Sequence, residues 1–238
     1  SEKVKLAALE AIGTWLSDPA FADYVPQIES LVATGKWDVL VDSFYQVIPF
    51  GTGGRRGLVG IGPNRINPWT IQASAQGHSQ YLLKNYGPQA ATRGVVMTFD
   101  VRRYTQTGVY DDGRPNPVRD LDGRRLAEAA AEVYAANGIT SYLFETARST
   151  PELSFAIRHL KAVSGDMFSA SHNLPTDNGK KVYDEFGGQL IPPHDQALVD
   201  EVTRHVTAIR RMPFAEACRA GRVVFVGEEV DHAYHAAV

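Results

Sequence analysis

Over residues 1–45 the apolar positions recur at helical spacing. Leu6, Leu9, Ile12 and Leu16 form one stripe, and Ile28, Leu31 and Val32 open a second. Asp18-Pro19 separates the two. A third stripe, Trp37, Leu40, Val41 and Phe44, stops before Pro49. The pattern predicts an all-helical leader. From Gly51 the character changes. Gly51-Thr52-Gly53-Gly54-Arg55-Arg56-Gly57 reads as a glycine-rich loop with two adjacent cations. A helix is then predicted from about Thr70 to Asn85, with Ile71, Ala75 and Leu82 inward and Gly87-Pro88 as its stop.

The next stretch alternates between two periodicities. Gly94-Val95-Val96-Met97-Thr98-Phe99 is a continuous apolar run, as expected of a strand buried on both faces. Asp122 to Asn137 reads as a helix with Leu126, Ala130 and Val133 inward and Asn137-Gly138 as its C-terminal cap. Thr140 to Phe144 reads as a strand. Thr150-Pro151 opens another helix, with Thr150 as cap and Gly165 as terminator, and Asp166 to Ser169 is a third strand. Strands alternating with helices at this spacing imply right-handed crossovers. The fold class is therefore α/β, a mainly parallel mixed sheet flanked by helices behind an N-terminal helical leader. Residues 196–212 read as a further helix, and Gly221 to Val226 as a strand that begins something new. The predicted organisation is a leader over 1–45, an α/β domain over 46–212, and over 213–238 a linker with the start of a truncated second α/β domain. One connection fits poorly. Arg103 to Leu121 is far longer than the usual about 4–6 residues and reads as a lid or an assembly contact.

Composition narrows the classes. With 24 Lys+Arg against 27 Asp+Glu in 238 residues, the net charge is −3, without the basic excess of a nucleic-acid-binding domain. A single cysteine, Cys218, excludes an internal disulfide framework. No run of about 18 apolar residues predicts a membrane span, and residues 1–5 lack a signal-peptide apolar region. A cytoplasmic protein without nucleic-acid or membrane partners is expected.

In parallel sheets ligands bind beyond the carboxyl ends of the strands. The segment Ser169 to Lys181 leaves such an end and holds hydroxyls, an imidazole, amides and two ammonium groups. A serine-hydrolase triad is disfavoured, because Ser171 and His172 are chain neighbours and no Gly-x-Ser-x-Gly elbow surrounds Ser171. A phosphoryl carrier suits it better. Phosphoserine bears a charge of about −1.5 to −2 and needs nearby cations, for which Arg55, Arg56, Lys180 and Lys181 are the candidates. Asp100-x-Arg102, taken alone, reads as a structural ion pair.

In chain order, Phe50 to Gly57, Asp100-Val101-Arg102, Thr150-Pro151-Glu152-Leu153, Ser169-Ala170-Ser171-His172-Asn173 and Asn178-Gly179-Lys180-Lys181 resemble the first domain of the α-D-phosphohexomutases, the phosphoglucomutase and phosphomannomutase superfamily. Residues 37–238 carry the resemblance. The leader and Gly62 to Asn67 look most like the branch with phosphopentomutases. The departures are Leu174 for a usual proline, Arg55 at a usually apolar position and Asp177 where an aromatic is common. The resemblance implies that Ser171 carries a phosphate, with Lys181, Arg56 and His172 as its catalytic companions. It implies that Thr52, Gly53, Arg55, Asn173, Asn178 and Lys180 bind substrate or phosphate. It also implies Mg²⁺ as cofactor, held partly through the phosphate on Ser171, and a sugar bisphosphate activator. The family's Asp-rich metal loop and its sugar-binding loop have no match in this sequence. The remaining domains or a second chain are therefore expected partners beside a phosphosugar substrate, and a non-catalytic phosphosugar-binding or partner-binding domain is the alternative.

Overall fold

A computed structural model describes residues 1–51 and 53–238. Four strands run parallel: β2 (Val95–Phe99), β3 (Ser141–Phe144), β4 (Ser164–Phe168) and β6 (Val223–Val226). Two more, β1 (Gly54–Leu58) and β5 (Asp177–Tyr183), continue the sheet as an antiparallel pair beside β4. The sheet order is β1-β5-β4-β2-β3-β6. Every residue of β2 is buried, as its unbroken apolar run predicts. Val95 and Met97 face helices α4 (Pro68–Tyr86) and α6 (Gly123–Ala136), whereas Val96 faces α7 (Thr150–His159) and α10 (Glu228–Ala237).

The helix boundaries follow local chemistry. Asn67 and Thr70 form a reciprocal capping box on α4, with both hydrogen bonds 3.0 Å long, and Pro68 occupies the first turn; the short α5 (Pro88–Arg93) follows. Asp122 caps α6 by accepting the Arg125 N–H at 2.9 Å. The cap of α7 is Ser149 rather than Thr150, because the Ser149 hydroxyl accepts from the Glu152 N–H. Gly165 does not end that helix. It lies within β4, where a Cβ would come 2.4 Å from Ile157 Cδ1, so the glycine lets α7 close onto the strand.

The leader is helical as expected, in α1 (Glu2–Ser17), α2 (Val25–Ala33) and α3 (Trp37–Phe44). The buried face of α1 differs from the predicted stripe: Ala8, Ile12 and Trp15 point inward, while Leu6 and Leu9 are each 59% exposed. Trp15 explains the rotation. It stacks on Phe21 at 4.3 Å and meets Trp69 of α4 at 5.4 Å, so the largest ring fixes which face is buried.

Four further expectations change. Residues 54–58 of the glycine-rich segment are strand, not loop. The helix expected over 196–212 shortens to α8 (His194–Asp200) and a π turn (Glu201–His205). Beyond it the chain is drawn along α6, where the Met212 N–H donates to Glu132 O and the Phe214 N–H to Glu132 Oε1. The strand read as the start of a second domain instead joins this sheet. β6 pairs with β3 from Ser141↔Val223 to Phe144↔Val226, closing an edge that β3 would otherwise expose. α9 (Phe214–Arg219) packs on α6, and Arg148 after β3 holds Asp231 of α10 at 2.6 Å. Finally, residues 103–121 do not stand free as a lid. Gln27 donates to Asp111 O at 2.8 Å, Lys36 to Gly108 O at 2.7 Å, and the Tyr110 hydroxyl accepts the Ile61 N–H. Val118 and Leu121 are fully buried. No helix among the described residues is long and apolar enough to cross a membrane.

Candidate active site around Ser171

The serine loop leaves β4 beside the carboxyl end of β2, and side chains from both strand ends shape it. Ser171 is exposed and adopts φ 58°, a left-handed conformation that residues with a Cβ seldom take. Both of its backbone polar groups are held. The Ser171 N–H donates to Ser169 Oγ at 2.9 Å, and the Ser171 carbonyl accepts from Arg102 Nη2 at 2.7 Å. Ser169 in turn donates its hydroxyl to Asp100 Oδ2 at 2.6 Å. Asp100 also accepts from Arg102 Nε at 2.7 Å and from the Arg102 N–H at 3.1 Å. A second arm of Arg102 reaches Asp177 O at 2.9 Å, closing the loop's far side. The Asn173 amide donates to Asp177 Oδ2 at 2.8 Å. Asp100-x-Arg102 is thus an ion pair, as read from sequence, and also the clamp that sets the Ser171 backbone. Sequence reasoning did not assign that role to Asp100, Arg102 or Ser169. The available signals are their position at the ends of adjacent strands and their place in the segments that carry the family resemblance.

The cations separate by strand alternation. In the register of β1 and β5, Arg55 lies opposite Lys180 and Arg56 opposite Gly179. Directly opposed residues share a face and successive residues alternate. Arg56 and Lys181 therefore lie together on the outer face, with Arg102 near them. Neither Arg56 nor Lys181 has a carboxylate within ion-pairing distance among the described residues. Burial, then Arg56 and Arg102, lower the pKa of half-buried Lys181. The strands can pair closely at these positions because glycine stands across from each cation. A Cβ on Gly54 would lie 2.3 Å from Lys180 O, and one on Gly179 would lie 2.4 Å from Arg55 O.

Arg55 and Lys180 are corrections to the expected set. Both point away from the serine loop into the interior, at 3% and 0% exposure. Arg55 Nη1 donates to Thr70 O at 2.9 Å. Lys180 Nζ donates to Asp166 Oδ1 at 2.6 Å and lies 3.2 Å from His78 Nδ1. The Tyr134 hydroxyl donates to the other Asp166 oxygen at 2.6 Å. Asn178 is buried too, and its Oδ1 accepts the Gly179 N–H. His172 is exposed on the loop next to Ser171. Gly53 takes φ 65° at the turn into β1, and Thr52 lies outside the described residues.

The implied Mg²⁺ finds no ligand set here. No group of three or more His, Cys, Asp or Glu side chains among the described residues could hold a metal ion. Of the carboxylates in this cluster, Asp100 is already taken up by Arg102 and Ser169, and Asp177 accepts from Asn173.

Comparison with known proteins agrees with the geometry. Residues 119–208 match the family model of phosphoglucomutase/phosphomannomutase, alpha/beta/alpha domain I. A phosphopentomutase of Mus musculus is 34% identical over 192 residues, 81% of this chain and 28% of that protein. A phosphoglucomutase of Staphylococcus saprophyticus is 34% identical over 193 residues, 80% of this chain and 31% of that protein. A solved structure of the phosphomannomutase type from Thermus thermophilus superposes with a TM-score of 0.52 at 27% identity, over 71% of this chain and 31% of that one. The chain spans about three tenths of the length of the relatives it matches. On the serine-loop motif, the sheet topology and these relatives together, the chain belongs to the α-D-phosphohexomutase superfamily.

Proposed function

We propose that this chain supplies the phosphoryl-carrying part of a phosphosugar mutase, which moves phosphate between C1 and the terminal hydroxyl of a hexose or pentose phosphate. Phosphorylated Ser171 donates its phosphoryl group. The bond between Ser171 Oγ and phosphorus breaks as the sugar oxygen bonds to phosphorus, and Oγ takes up the proton that the sugar hydroxyl gives up. Charge spreads over the phosphoryl oxygens during transfer, so cations held in position lower the barrier. Arg56 and Lys181 fill that role, and His172 beside Ser171 is the proton carrier. The resulting bisphosphate turns over and returns its other phosphate to Ser171 Oγ, whose proton passes to the sugar oxygen released, and remaining domains or a second chain complete the sugar site.

The observation that carries this reading is Ser171 itself. Asp100, Arg102 and Ser169 hold it exposed, in a left-handed conformation, near two cations without carboxylate partners. Incubation with glucose 1,6-bisphosphate should add about 80 Da to the protein, the mass of one phosphate ester, and peptide mapping should assign it to Ser171. Lys181→Ala should slow that transfer by about 10²–10³-fold. Label on another residue sinks the assignment. Saturable binding of glucose 1-phosphate with no labelling would instead favour a non-catalytic phosphosugar-binding domain.

A further inference from the structure

On the face of β1 opposite Arg56 lies a cavity of about 770 Å³, between the turn after α1, the start of α4 and the segment following the π turn. That volume lies within the range of about 300–1,000 Å³ typical of small-molecule sites. Phe21, Tyr24, Phe50 and Trp69 supply aromatic walls. Arg55 reaches the wall from β1 and sits 5.8 Å from the Phe50 ring centre.

Arg55 is the unusual member. Its side chain is 3% exposed, and its buried Nε has no hydrogen-bond partner. Its Nη1 bond goes to a neutral backbone carbonyl, that of Thr70. No carboxylate among the described residues pairs with it. Its register partner Lys180 is also a cation, and the buried Asp166 is already held by Lys180. Lys180 thus has a counter-charge in the interior, and Arg55 has none among the described residues. A buried ion without a counter-charge is costly, and only an opposite charge with good hydrogen-bond geometry offsets that cost. Burial alone lowers the guanidinium pKa to about 10, so it remains charged at neutral pH. Arg125 also lines the cavity, is exposed, and among the described residues its side chain donates only to the backbone carbonyls of Arg119 and Pro117. Asp18 and Asp23 also border the cavity, but both are exposed, and Asp18 caps the Ala20 N–H at 2.9 Å.

We propose that this cavity binds a small organic anion, a carboxylate or a phosphate monoester on a flat apolar body, with Arg55 as its counter-charge and the four aromatic side chains around its apolar part. The site is separate from the serine loop and does not rest on the phosphoryl-transfer reading.

Benzoate, phenyl phosphate and the neutral analogue benzyl alcohol test it, with calorimetric titration and thermal melting as readouts. At least one anion should bind and raise Tm, and which one does so identifies the head group. Benzyl alcohol at the same concentration should do neither. Arg55→Met should raise the anion Kd about tenfold or more, as expected for loss of a charge-assisted hydrogen bond. Ala73→Phe, which fills the cavity from α4 and leaves every charge in place, should abolish binding and keeps the test valid should Arg55→Met not fold. Lys181→Ala should leave the affinity unchanged, separating this site from the serine loop. Equal binding of benzyl alcohol, no binding of either anion at millimolar concentration, or a Kd indifferent to both cavity variants overturns the proposal.

Discussion

Ser171 holds φ 58° while carrying a side chain. A left-handed residue with a Cβ costs about 1–2 kcal/mol, and glycine gives back about 0.5–1 of that in extra unfolded-state entropy. Such conformations persist where surrounding contacts over-determine them. Here those contacts are the Arg102 bond to the Ser171 carbonyl and the Ser169 bond to its N–H. Ser171→Gly should therefore be more stable than Ser171→Ala by up to about 1.5 kcal/mol, read from urea denaturation midpoints. An Ala variant at least as stable as the Gly variant would show that the loop is not strained. Arg102 and Asp100 illustrate what one residue can do at this scale. Their ion pair is a short-range contact, and their effect is to fix the backbone of another strand's loop.

At the scale of elements, the β1–β5 pair divides four adjacent cations into two populations. Arg56 and Lys181 face outward near the serine loop, and Arg55 and Lys180 face inward. Tight pairing makes that division. Gly179→Ala would place a Cβ 2.4 Å from Arg55 O and push the strands apart. It should destabilise by about 1–3 kcal/mol, as overpacking does, and should weaken phosphate binding by separating Arg56 from Lys181. Gly13 in α1 is the contrast, since a Cβ there meets nothing within 4 Å. Gly13→Ala should stabilise by roughly 0.5–1 kcal/mol through helix propensity alone. Thermal melts of the two variants should move in opposite directions, and a shift in the same direction would refute the packing account.

Across the whole molecule, α4 and α6 meet the sheet through a buried polar network rather than through apolar contact alone. His78, Tyr134, Asp166, Lys180 and Ser164 are all fully or almost fully buried. The His78 imidazole touches the Tyr134 hydroxyl at 2.6 Å, Lys180 Nζ at 3.2 Å and Ser164 Oγ at 3.2 Å. Burial, with Lys180 second, holds its pKa well below 6.5. The folded protein thus keeps His78 neutral where the unfolded chain protonates. The resulting stability is present above about pH 6.5 and lost as pH falls from there toward the folded pKa, with a slope of up to about 1.4 kcal/mol per pH unit. His78→Gln should lower stability at neutral pH and flatten that acid-side slope. Equal slopes for both proteins between pH 7.5 and 5.5 would exclude His78 as the source.

The sequence by itself carried the α/β class, the strands read over 94–99 and 140–144, the capped helix read over 122–137 and the serine loop, each within one residue of its place in the structure. Each of these is local, set by periodicity, by a cap or by a contiguous motif. It also brought Ser171, Arg56 and Lys181 to notice, because the motif and its cations are close in the chain. Tertiary structure decided what depends on partners far apart in sequence. Trp15 turned α1 toward Trp69 and away from the leucine stripe. The open edge of β3 drew β6 into this sheet instead of a second domain. Most of all, pairing of β1 with β5 decided which of two neighbouring arginines and two neighbouring lysines face the serine loop. Adjacent residues on a strand point to opposite faces, so a run of cations in sequence leaves open which of them face the site until the register of the neighbouring strand fixes it.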